Sequence, residues 1–431
     1  MKLKNTMTAV AALALLLPVA ACSPSAPKDG AESQTLNVAL PTHAWTNAIK
    51  ESIPEFEKAS GIKVALTTFG EDQLSDQYNV KLNTKSKDFD VMMFRPPQDG
   101  KLFVQNGWLA PVDDYLKKAD AGYKWDDFLP ATVDSVTVDG SVYGAPLITE
   151  QEVLYYNKKL LAEANVKVPT TMEELEAAAA KLTDRDKGQF GFLSRGQLSA
   201  SVTQFSSFLY SFGADFDNGK KATLDTPEAK KAYEFYGRML NQYAPPGTTE
   251  MNWIQAMPIF AQGKVAFYTD VSSLSPNLDD PSTSTVVNDW GVAPFPAGPA
   301  GSHPYNISAW ALGINAFSES KDAAWKFMEW ATGPDMSLKL QQKGQSLARA
   351  SLYSSAEGTK GFRDDMIAAI KTSTAPGVAV GHDRPLVVKV SEAREIIGKP
   401  IVTGIDGGDV AGAIEEAQTK YQQFLDEETK A

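Results

Sequence analysis

Two glutamates and a glutamine interrupt an apolar stretch near the middle of the chain. Glu150, Gln151 and Glu152 stand between an Ala-Pro-Leu-Ile run and a Val-Leu-Tyr-Tyr run. A carboxylate accepts hydrogen bonds from hydroxyl groups, and such charge-assisted bonds are about twice as strong as neutral ones. Two carboxylates can instead serve as the acid and base of glycoside hydrolysis, for which Glu150 and Asp270 are candidates. Both interpretations involve a hydroxyl-rich small molecule.

Tryptophans beside polar residues are a second candidate feature. Trp45 closely follows His43, Trp253 lies in Glu-Met-Asn-Trp-Ile-Gln, and Trp310 follows Pro-Tyr-Asn-Ile-Ser. An aromatic ring next to hydrogen-bonding groups suits a sugar, which has an apolar C–H face and a rim of hydroxyls. The alternative is that each tryptophan anchors its loop to the core.

The usual catalytic and metal-binding signatures are missing from the sequence. It contains no G-x-S-x-G or H-E-x-x-H motif, and Gln197 stands where a phosphate-binding loop needs lysine. His43, His303 and His382 are isolated from one another, and the chain has a single cysteine. We therefore expect no metal site, no cofactor and no enzymatic activity.

Short strands alternate along the chain with longer helices. Runs of β-branched and apolar residues predict strands at 36–40, 62–67 and 90–94. Thr171, with Glu174 three residues later, predicts a capping box at the start of one helix, and Thr226-Pro227 predicts the start of another. This alternation predicts an α/β fold.

The N-terminal residues predict that the protein is exported from the cytoplasm. Lys2 and Lys4 precede an uncharged run that ends at Ala21, which is shorter than the roughly 20 residues needed to span a bilayer. Residues 1–21 therefore read as a signal peptide. The ending Val-Ala-Ala-Cys resembles the bacterial lipoprotein signal, which implies that Cys22 is lipidated. The alternative is an incidental thiol.

Charge and length restrict the class of the mature protein. Residues 22–34, rich in Ser, Pro, Ala and Gly, predict a flexible tether. Removal of residues 1–21 leaves 39 basic and 53 acidic residues, a net charge of -14 (39 minus 53). This balance argues against nucleic-acid binding and against a polybasic membrane contact. A chain of this length predicts two domains.

Six segments in register resemble the extracellular solute-binding proteins (family 1) of ATP-driven sugar importers. They are IPEFEKASGIKV, FDVMMF with QNGWLAPVDDYL, VDGSVYGAPLITEQEVLYYNKKLLAEANVKVPTTMEEL, FAQGKVAFYTD, GVAPFPAGP and SESKDAAWKFMEWATGPD. The resemblance covers nearly the whole mature chain. It implies a two-lobed periplasmic-binding-protein-like fold (type II), with the lobes joined by a multi-strand hinge. By carry-over, lobe 1 comprises 35–149 and 296–335, and lobe 2 comprises 150–295 and 336–431.

The resemblance also implies which residues face the cleft between the lobes. Glu150 lies where relatives present a carboxylate to sugar hydroxyls. Ser273 stands approximately where maltodextrin-binding members have a stacking tryptophan, so Trp253 or Trp310 is expected to supply the platform. The predicted ligand-binding residues are His43, Trp45, Phe94, Arg95, Gln98, Asp99, Glu150, Trp253, Thr269, Asp270, Asn306, Trp310 and Arg349.

The expected function is capture of a sugar or polyol and its delivery to the transmembrane subunits of an ABC permease. The protein is expected to be a monomer that attaches to the outer face of the membrane through lipid on Cys22. Two alternatives stay open. Arg95 and Arg349 suit the carboxylate of an organic acid or peptide, and the Glu150–Asp270 pair suits a secreted glycoside hydrolase.

Overall fold

The computed structural model describes residues 34–428 of the 431-residue chain. The predicted signal peptide (1–21), the predicted lipidation site Cys22 and the predicted tether up to residue 33 lie outside the described residues. Between residues 34 and 428, no helix combines the length and apolar character needed to cross a bilayer.

The strands confirm the predicted segments near the N-terminus. The predicted strands 36–40, 62–67 and 90–94 correspond to β1, β2 and β3, with ends shifted by at most two residues. The strands of the described residues are β1 (Thr35–Pro41), β2 (Lys63–Phe69), β3 (Val91–Phe94), β4 (Leu109–Ala110), β5 (Thr137–Val138), β6 (Ser141–Val142), β7 (Ala145–Asn157), β8 (Phe190–Leu193), β9 (Val265–Val271), β10 (Trp290–Pro294) and β11 (Asn306–Asn315).

Helices connect these strands and cover the sheet. They are α1 (Ala44–Lys50), α2 (Ile53–Ser60), α3 (Glu71–Asn83), α4 (Lys101–Gln105), α5 (Asp113–Leu116), α6 (Pro130–Ser135), α7 (Lys158–Glu163), α8 (Met172–Leu182), α9 (Ser201–Phe212), α10 (Pro227–Tyr243), α11 (Trp253–Ala261), α12 (Pro276–Asp279), α13 (Lys321–Thr332), α14 (Pro334–Gln341), α15 (Asp364–Ser373), α16 (Val390–Ile405) and α17 (Val410–Glu428). A single π-helical turn, Pro96–Gly100, precedes α4.

Both predicted helix starts are present, but one hydrogen bond of the predicted capping box has a different donor. The Thr171 hydroxyl accepts a hydrogen bond from the N–H of Glu174 at 3.1 Å and caps α8. The Glu174 carboxylate accepts its return bond from the N–H of Thr170, at 2.8 Å, rather than from Thr171 as a capping box requires. The Thr226 hydroxyl caps α10 through the N–H of Ala229 at 3.3 Å.

The main sheet has the order β2-β1-β3-β11-β7-β9-β8, with β10 added beside β7 and β4 beside β11. Strand β1 pairs in parallel with β2 and β3, and β8 pairs in parallel with β9. Strand β11 runs antiparallel to both β3 and β7, and β7 runs antiparallel to β9 and β10. This sheet is the core of a two-lobed α/β fold.

Strand β7 belongs to both lobes. Its first half, through Gln151, pairs with β11, and its second half, from Glu152, pairs with β9. Strands β1 to β3 and β11 therefore form the sheet of lobe 1, and β8 to β10 form that of lobe 2. Strand β7 and the beginning of β11 make the multi-strand hinge.

The resemblance implied that residues 296–305 belong to lobe 1 and residues 336–353 to lobe 2, but each segment contacts the other lobe. In 296–305, the N–H of Ala297 donates to the carbonyl of Thr170 at 2.9 Å, in the lobe 2 region. In 336–353, the carbonyl of Ser346 accepts from the N–H of Thr149 at 2.9 Å, on the side of lobe 1. From these contacts we propose that the chain crosses between lobes near residue 305 and again after residue 353.

Glycines allow three helices of lobe 2 to pack closely. A Cβ on Gly237 of α10 would lie 2.9 Å from Cα of Gly404 in α16. A Cβ on Gly398 of α16 would lie only 2.0 Å from the carbonyl oxygen of Leu198, just before α9. Because the neighbouring atoms are backbone, a side chain at Gly398 can be accommodated only if the helices separate.

We expect Gly398→Ala to lower the free energy of unfolding by about 1–3 kcal/mol, the usual cost of overpacking. Urea unfolding followed by circular dichroism measures the change. Lys399→Ala, on the exposed side of the same helix, is the control and should stay within about 0.5 kcal/mol of wild type. Equal stability of the two variants would contradict this packing.

Candidate ligand-binding site between the lobes

A cavity of about 790 Å³ lies between the two lobes beside the hinge. Its walls include His43 and the segment 341–346 from lobe 1, parts of 272–280 and 360–370 from lobe 2, and Glu150 from the hinge. Small-molecule sites are usually clefts of about 300–1,000 Å³ that bury most of the ligand. The size and position of this interlobe pocket suit a small ligand that contacts both lobes.

Most of the residues that line the interlobe pocket can hydrogen-bond to hydroxyl groups. Ile148, Phe362 and Met366 supply apolar surface between them. The polar lining residues are His43, Glu150, Ser272, Ser273, Ser275, Asp279, Asp280, Gln341, Gln342, Lys343, Gln345, Ser346, Lys360 and Arg363. The pocket thus offers both hydrogen-bond donors and acceptors together with some apolar surface. This combination suits a molecule that carries many hydroxyls on a carbon skeleton.

Glu150 projects into the interlobe pocket from strand β7, where it pairs with Ile307 of β11. Its Oε1 accepts a hydrogen bond from the Ser273 hydroxyl at 2.7 Å. Burial raises the pKa of Glu150, and the Ser273 bond and the charge of Arg195 partly oppose that rise. The hydrogen bond from Ser273 thus orients the carboxylate.

His43 is a hydrogen-bond donor at the lobe 1 side of the pocket. Its Nδ1 accepts from the N–H of Trp45 at 3.0 Å, which caps helix α1. Because Nδ1 is an acceptor, a neutral ring carries its proton on Nε2. Burial lowers the pKa of His43, so the neutral form is favoured and Nε2–H can donate to a ligand.

Trp310 lies between His43 and Arg95 and is 8% exposed. Its ring centroid is 5.9 Å from that of His43 and 5.8 Å from Cζ of Arg95. The register between β11 and β7 shifts on both sides of Trp310, and Ala309 has no partner in β7. Bulges of this kind re-aim a side chain. Here the bulge places the indole beside His43, which lines the pocket.

Asp270 is fully buried and holds Arg195 in place. Its carboxylate accepts from Nε of Arg195 at 3.0 Å, from Nε2 of Gln204 at 3.0 Å and from the N–H of Val271 at 2.8 Å, and the Tyr268 hydroxyl also donates to it. With its oxygens engaged in this way, Asp270 does not match the exposed partner that Glu150 needs for glycoside hydrolysis.

The sequence profile of the bacterial extracellular solute-binding proteins matches residues 42–337. The chain belongs to this family. This match confirms the resemblance that the six motifs of this solute-binding protein indicated. Among residues 34–428, no three His, Cys, Asp or Glu side chains are grouped so that they could hold a metal ion.

Several relatives of this solute-binding protein have named ligands. It is 29% identical over 363 residues to the mannitol-binding protein of Pseudomonas aeruginosa, a match that covers 80% of this chain and 79% of that one. It superimposes with a TM-score of 0.77 and 26% identity on a solute-binding protein of Agrobacterium radiobacter K84 in complex with ribitol, covering 91% of this chain and 98% of the other. A protein of Agrobacterium vitis S4 with bound D-mannitol gives a TM-score of 0.70 and 27% identity, covering 91% and 99%.

Of the thirteen predicted ligand-binding residues, His43 and Glu150 line the interlobe pocket, and five of the others lie within one lobe or in the hinge. Trp45 is fully buried and Phe94 is 2% exposed in the core of lobe 1. The Thr269 hydroxyl donates to that of Ser194 at 3.1 Å inside lobe 2. Asn306 is buried in the hinge, where its amide donates to the Thr149 hydroxyl at 2.6 Å. Trp253 is 42% exposed at the start of α11.

Three more predicted residues lie at the gap between the lobes. Nε of Arg95 donates to the Asp99 carboxylate at 3.3 Å, so the two side chains hold each other beside Trp310. Gln98, on the same turn, accepts a hydrogen bond from Nη1 of Arg384 in lobe 2 at 3.0 Å. His43, Glu150, Trp310, Arg95, Gln98 and Asp99 are thus the predicted residues that the structure brings together around the gap.

Arg349, another predicted ligand-binding residue, is fully buried within lobe 1. Its guanidinium donates to the carbonyls of Thr332, Lys124 and Tyr123 at 2.8, 2.9 and 2.9 Å. Cζ lies 4.2 Å from the centroid of Phe128. These contacts tie the loop after α14 to the region before α6, and they leave the side chain no access to the interlobe pocket.

We expect Arg349→Met to destabilise the protein by about 3–5 kcal/mol, because it leaves buried carbonyls without donors. Differential scanning calorimetry should show a lower Tm, while the folded protein keeps its ligand affinity in titration calorimetry. Arg185→Met, an exposed arginine bonded to carbonyls of lobe 2, is the control. Loss of affinity without loss of stability at Arg349 would instead place this side chain in the binding site.

Glu152 is a buried carboxyl without an ion-pair partner. It is fully buried on β7, and neither oxygen meets a donor at hydrogen-bonding geometry, although the Ser207 and Thr269 hydroxyls are close. Burial raises the pKa of Glu152 well above its usual value, chiefly because the charged form loses its hydration. Burial therefore favours the neutral form of Glu152 in the folded protein over that in the unfolded chain.

Glu152 makes stability depend on pH in a predictable direction. Its pKa is higher in the folded than in the unfolded chain, whose value is near 4.5, so the unfolded state binds fewer protons above that pH. Stability contributed by the protonated group is complete below pH 4.5 and declines as pH rises towards the folded pKa. Glu152→Gln should remove this decline, so the variant should become more stable than wild type as pH rises from 4.5 to 8.

Urea unfolding at several pH values measures this difference. The exposed Glu163→Gln variant is the control and should follow the wild-type pH profile. A Glu152→Gln effect that is the same at pH 4 and pH 8 would show that the carboxyl is already ionised in the folded protein.

Sequence reasoning missed most of the residues that line the pocket, and also Arg195, whose charge acts on Glu150. Arg195 comes two residues after the end of strand β8, close to the position that Arg95 has directly after β3. The strand-end signal used for Arg95 therefore identifies Arg195 as well. Phe362 and Arg363 lie in an irregular segment before α15. They carry no motif or periodicity, and only the three-dimensional fold brings them to the pocket.

Proposed function

We propose that this protein captures a sugar or polyol in the interlobe pocket and delivers it to the permease of an ABC importer. The observation that carries the proposal is the pocket itself, in which Glu150 of the hinge, His43 of lobe 1 and Ser273 of lobe 2 meet around one cavity. A ligand in that position contacts both lobes. It therefore binds the closed arrangement better than an open one and shifts the population towards closure.

The named ligands of the relatives support the hydroxyl-rich class. The Pseudomonas protein is named for mannitol, and the two Agrobacterium structures contain ribitol and D-mannitol. Mannitol and ribitol are both open-chain polyols. The matches to these proteins cover about four fifths or more of this chain, so both lobes and the hinge are included.

The chemistry of the pocket explains how such a ligand is recognised. The Glu150 carboxylate is the proposed acceptor of ligand hydroxyls, and Lys343, Lys360 and Arg363 are the proposed donors. Lys343 and Arg363 also pair with Glu51 and Asp365 and use their remaining N–H groups for the ligand. Charge-assisted bonds of this kind are the strong ones. A micromolar dissociation constant corresponds to about -8 kcal/mol, which a few such bonds supply after the costs of ordering are subtracted.

Within this class, the aromatic side chains favour an open-chain polyol over a stacked pyranose. Trp310 is 8% exposed, with His43 and Arg95 around it. Trp290 lines the pocket but is fully buried, and Cζ of Arg363 covers its ring at 4.0 Å. Neither indole offers the wide free face on which a sugar ring stacks.

We further propose that the protein acts outside the cytoplasm as a monomer attached to the membrane by lipid on Cys22. The lipoprotein-like ending of the leader and the flexible composition of 22–34 support this attachment. The strongly acidic charge of the mature chain disfavours nucleic-acid partners.

Titration calorimetry against mannitol, ribitol, maltose and simple monosaccharides tests the proposal. We expect a polyol to bind with at least micromolar affinity and to be recovered unchanged. A chain that binds no member of the panel would overturn the proposed function, and chemical conversion of a bound sugar would show an enzyme instead.

We expect Glu150→Gln to weaken polyol binding about tenfold, because a charge-assisted acceptor becomes a neutral one. The amide is similar in shape and can still accept from Ser273, so the Tm should change little. The control is Glu163→Gln on the exposed side of α7, with wild-type affinity expected. Unchanged affinity of Glu150→Gln would remove this carboxylate from the site.

A further inference from the structure

The segment 380–387 is anchored in lobe 2 although it has no regular secondary structure. Asp383 is fully buried and accepts from the Thr203 hydroxyl of α9 at 2.9 Å. The Tyr210 hydroxyl, also on α9, donates to the carbonyl of His382 at 3.1 Å. The segment is therefore held to the second lobe on one side.

The other side of the same segment makes three hydrogen bonds to lobe 1. They run from Nη1 of Arg384 to Oε1 of Gln98 (3.0 Å), from Nζ of Lys101 to the carbonyl of Leu386 (2.7 Å) and from the Ser135 hydroxyl to the carbonyl of Gly381 (2.9 Å). Two of them, those of Arg384 and Lys101, lie away from the hinge strands and join the lobes independently of β7 and β11, whereas the Ser135 hydroxyl also accepts from the N–H of Ser308 on β11 at 3.2 Å.

We propose that residues 380–387 form an interlobe latch, with Arg384 and Lys101 as positioning residues that set the affinity for the ligand without touching it. The inference rests on the proposed function, since affinity depends on lobe closure only if the ligand binds between the lobes. Each latch bond forms only while the lobes are together, so the latch stabilises the arrangement to which the ligand binds.

Arg384 is built to hold a fixed orientation. Its Nε donates to the Asp383 carboxylate at 2.7 Å, and a second nitrogen of the guanidinium also bonds to that carboxylate. Its side chain is 15% exposed and that of Asp383 is fully buried, so solvent screens their pairing little. The guanidinium thus presents Nη1 to Gln98 at little cost in side-chain entropy, because the fork of donors is already ordered.

Lys101 bonds to the latch at a distance from the ligand site. Lys101 and Leu386 line a second interlobe cavity of about 580 Å³, together with Pro96, Pro97 and Asp134. None of these residues lines the interlobe pocket that contains Glu150. Lys101 can therefore be altered without removing a group that contacts the proposed ligand.

The expected effect follows from the population of the closed state. Apparent affinity falls in proportion to the fraction of molecules in the binding-competent state. Loss of a hydrogen bond to a charged group shifts that equilibrium, and for a partly exposed lysine we expect about a fivefold to tenfold weaker affinity. The stability of either lobe should not change, because the bond joins the lobes.

The test compares Lys101→Met with Lys87→Met in the mature chain. Lys87 pairs with Glu319 inside lobe 1, and both side chains are exposed, so the control loses the same charge without loss of an interlobe bond. Nitroxide labels on Lys58→Cys in α2 and Lys231→Cys in α10 report the lobe separation by double electron–electron resonance. The single native cysteine is replaced through Cys22→Ser.

We expect Lys101→Met to bind D-mannitol fivefold to tenfold more weakly than Lys87→Met at equal Tm, with a larger fraction of long label distances in ligand-free protein. Arg384→Gln should weaken binding and lengthen the label distances as much or more, but with a lower Tm, because it also leaves the buried Asp383 carboxylate without its arginine partner. Variants that match the control in both affinity and label distance would overturn the latch. If the wild type binds no polyol or sugar, the proposed function fails, and the label distances alone then decide whether the latch exists.

Discussion

Strand β7 is shared by the two lobes, and its pairing changes from β11 to β9 between Gln151 and Glu152. A strand that crosses in this way is stiff along its length but leaves the lobes free to rotate about the point of crossing. It also fixes Glu150 at that point, beside the interlobe pocket. The pocket and the contact of Glu150 with Ser273 depend on this geometry.

Neighbouring acidic groups near the hinge have different tasks because their surroundings differ. Asp270 is saturated by Arg195, Gln204 and Tyr268 and serves as an internal support. Glu152 is buried without a cation, and burial raises its pKa. Glu150 has one hydroxyl partner and an opening to the pocket. Burial and partners, rather than residue type, decide which carboxyl group can meet a ligand.

The fold was largely predictable from the sequence, and the site only in part. Strand and helix patterns with six motifs in register predict the two-lobed fold, and the family resemblance points to Glu150, which lines the interlobe pocket. Sequence cannot show that Phe94 turns into the core, since both faces of its strand are apolar, or that Trp45 in the short helix α1 does so. The bulge beside Trp310 and the pairing of Gln98 with Arg384, 286 residues apart, arise only from tertiary contacts.

The interleaved path of the chain restricts the order in which the molecule can assemble. Met92 on β3 stays without its antiparallel neighbour until Gly313 on β11 has been made. Lobe 1 therefore cannot finish its sheet before most of lobe 2 has been synthesised, and folding one domain at a time from the N-terminus is blocked. Such late, long-range pairing slows folding. The chain therefore remains incompletely folded until only about its last hundred residues are still to be synthesised. An unfolded chain is suited to passage through a secretion channel.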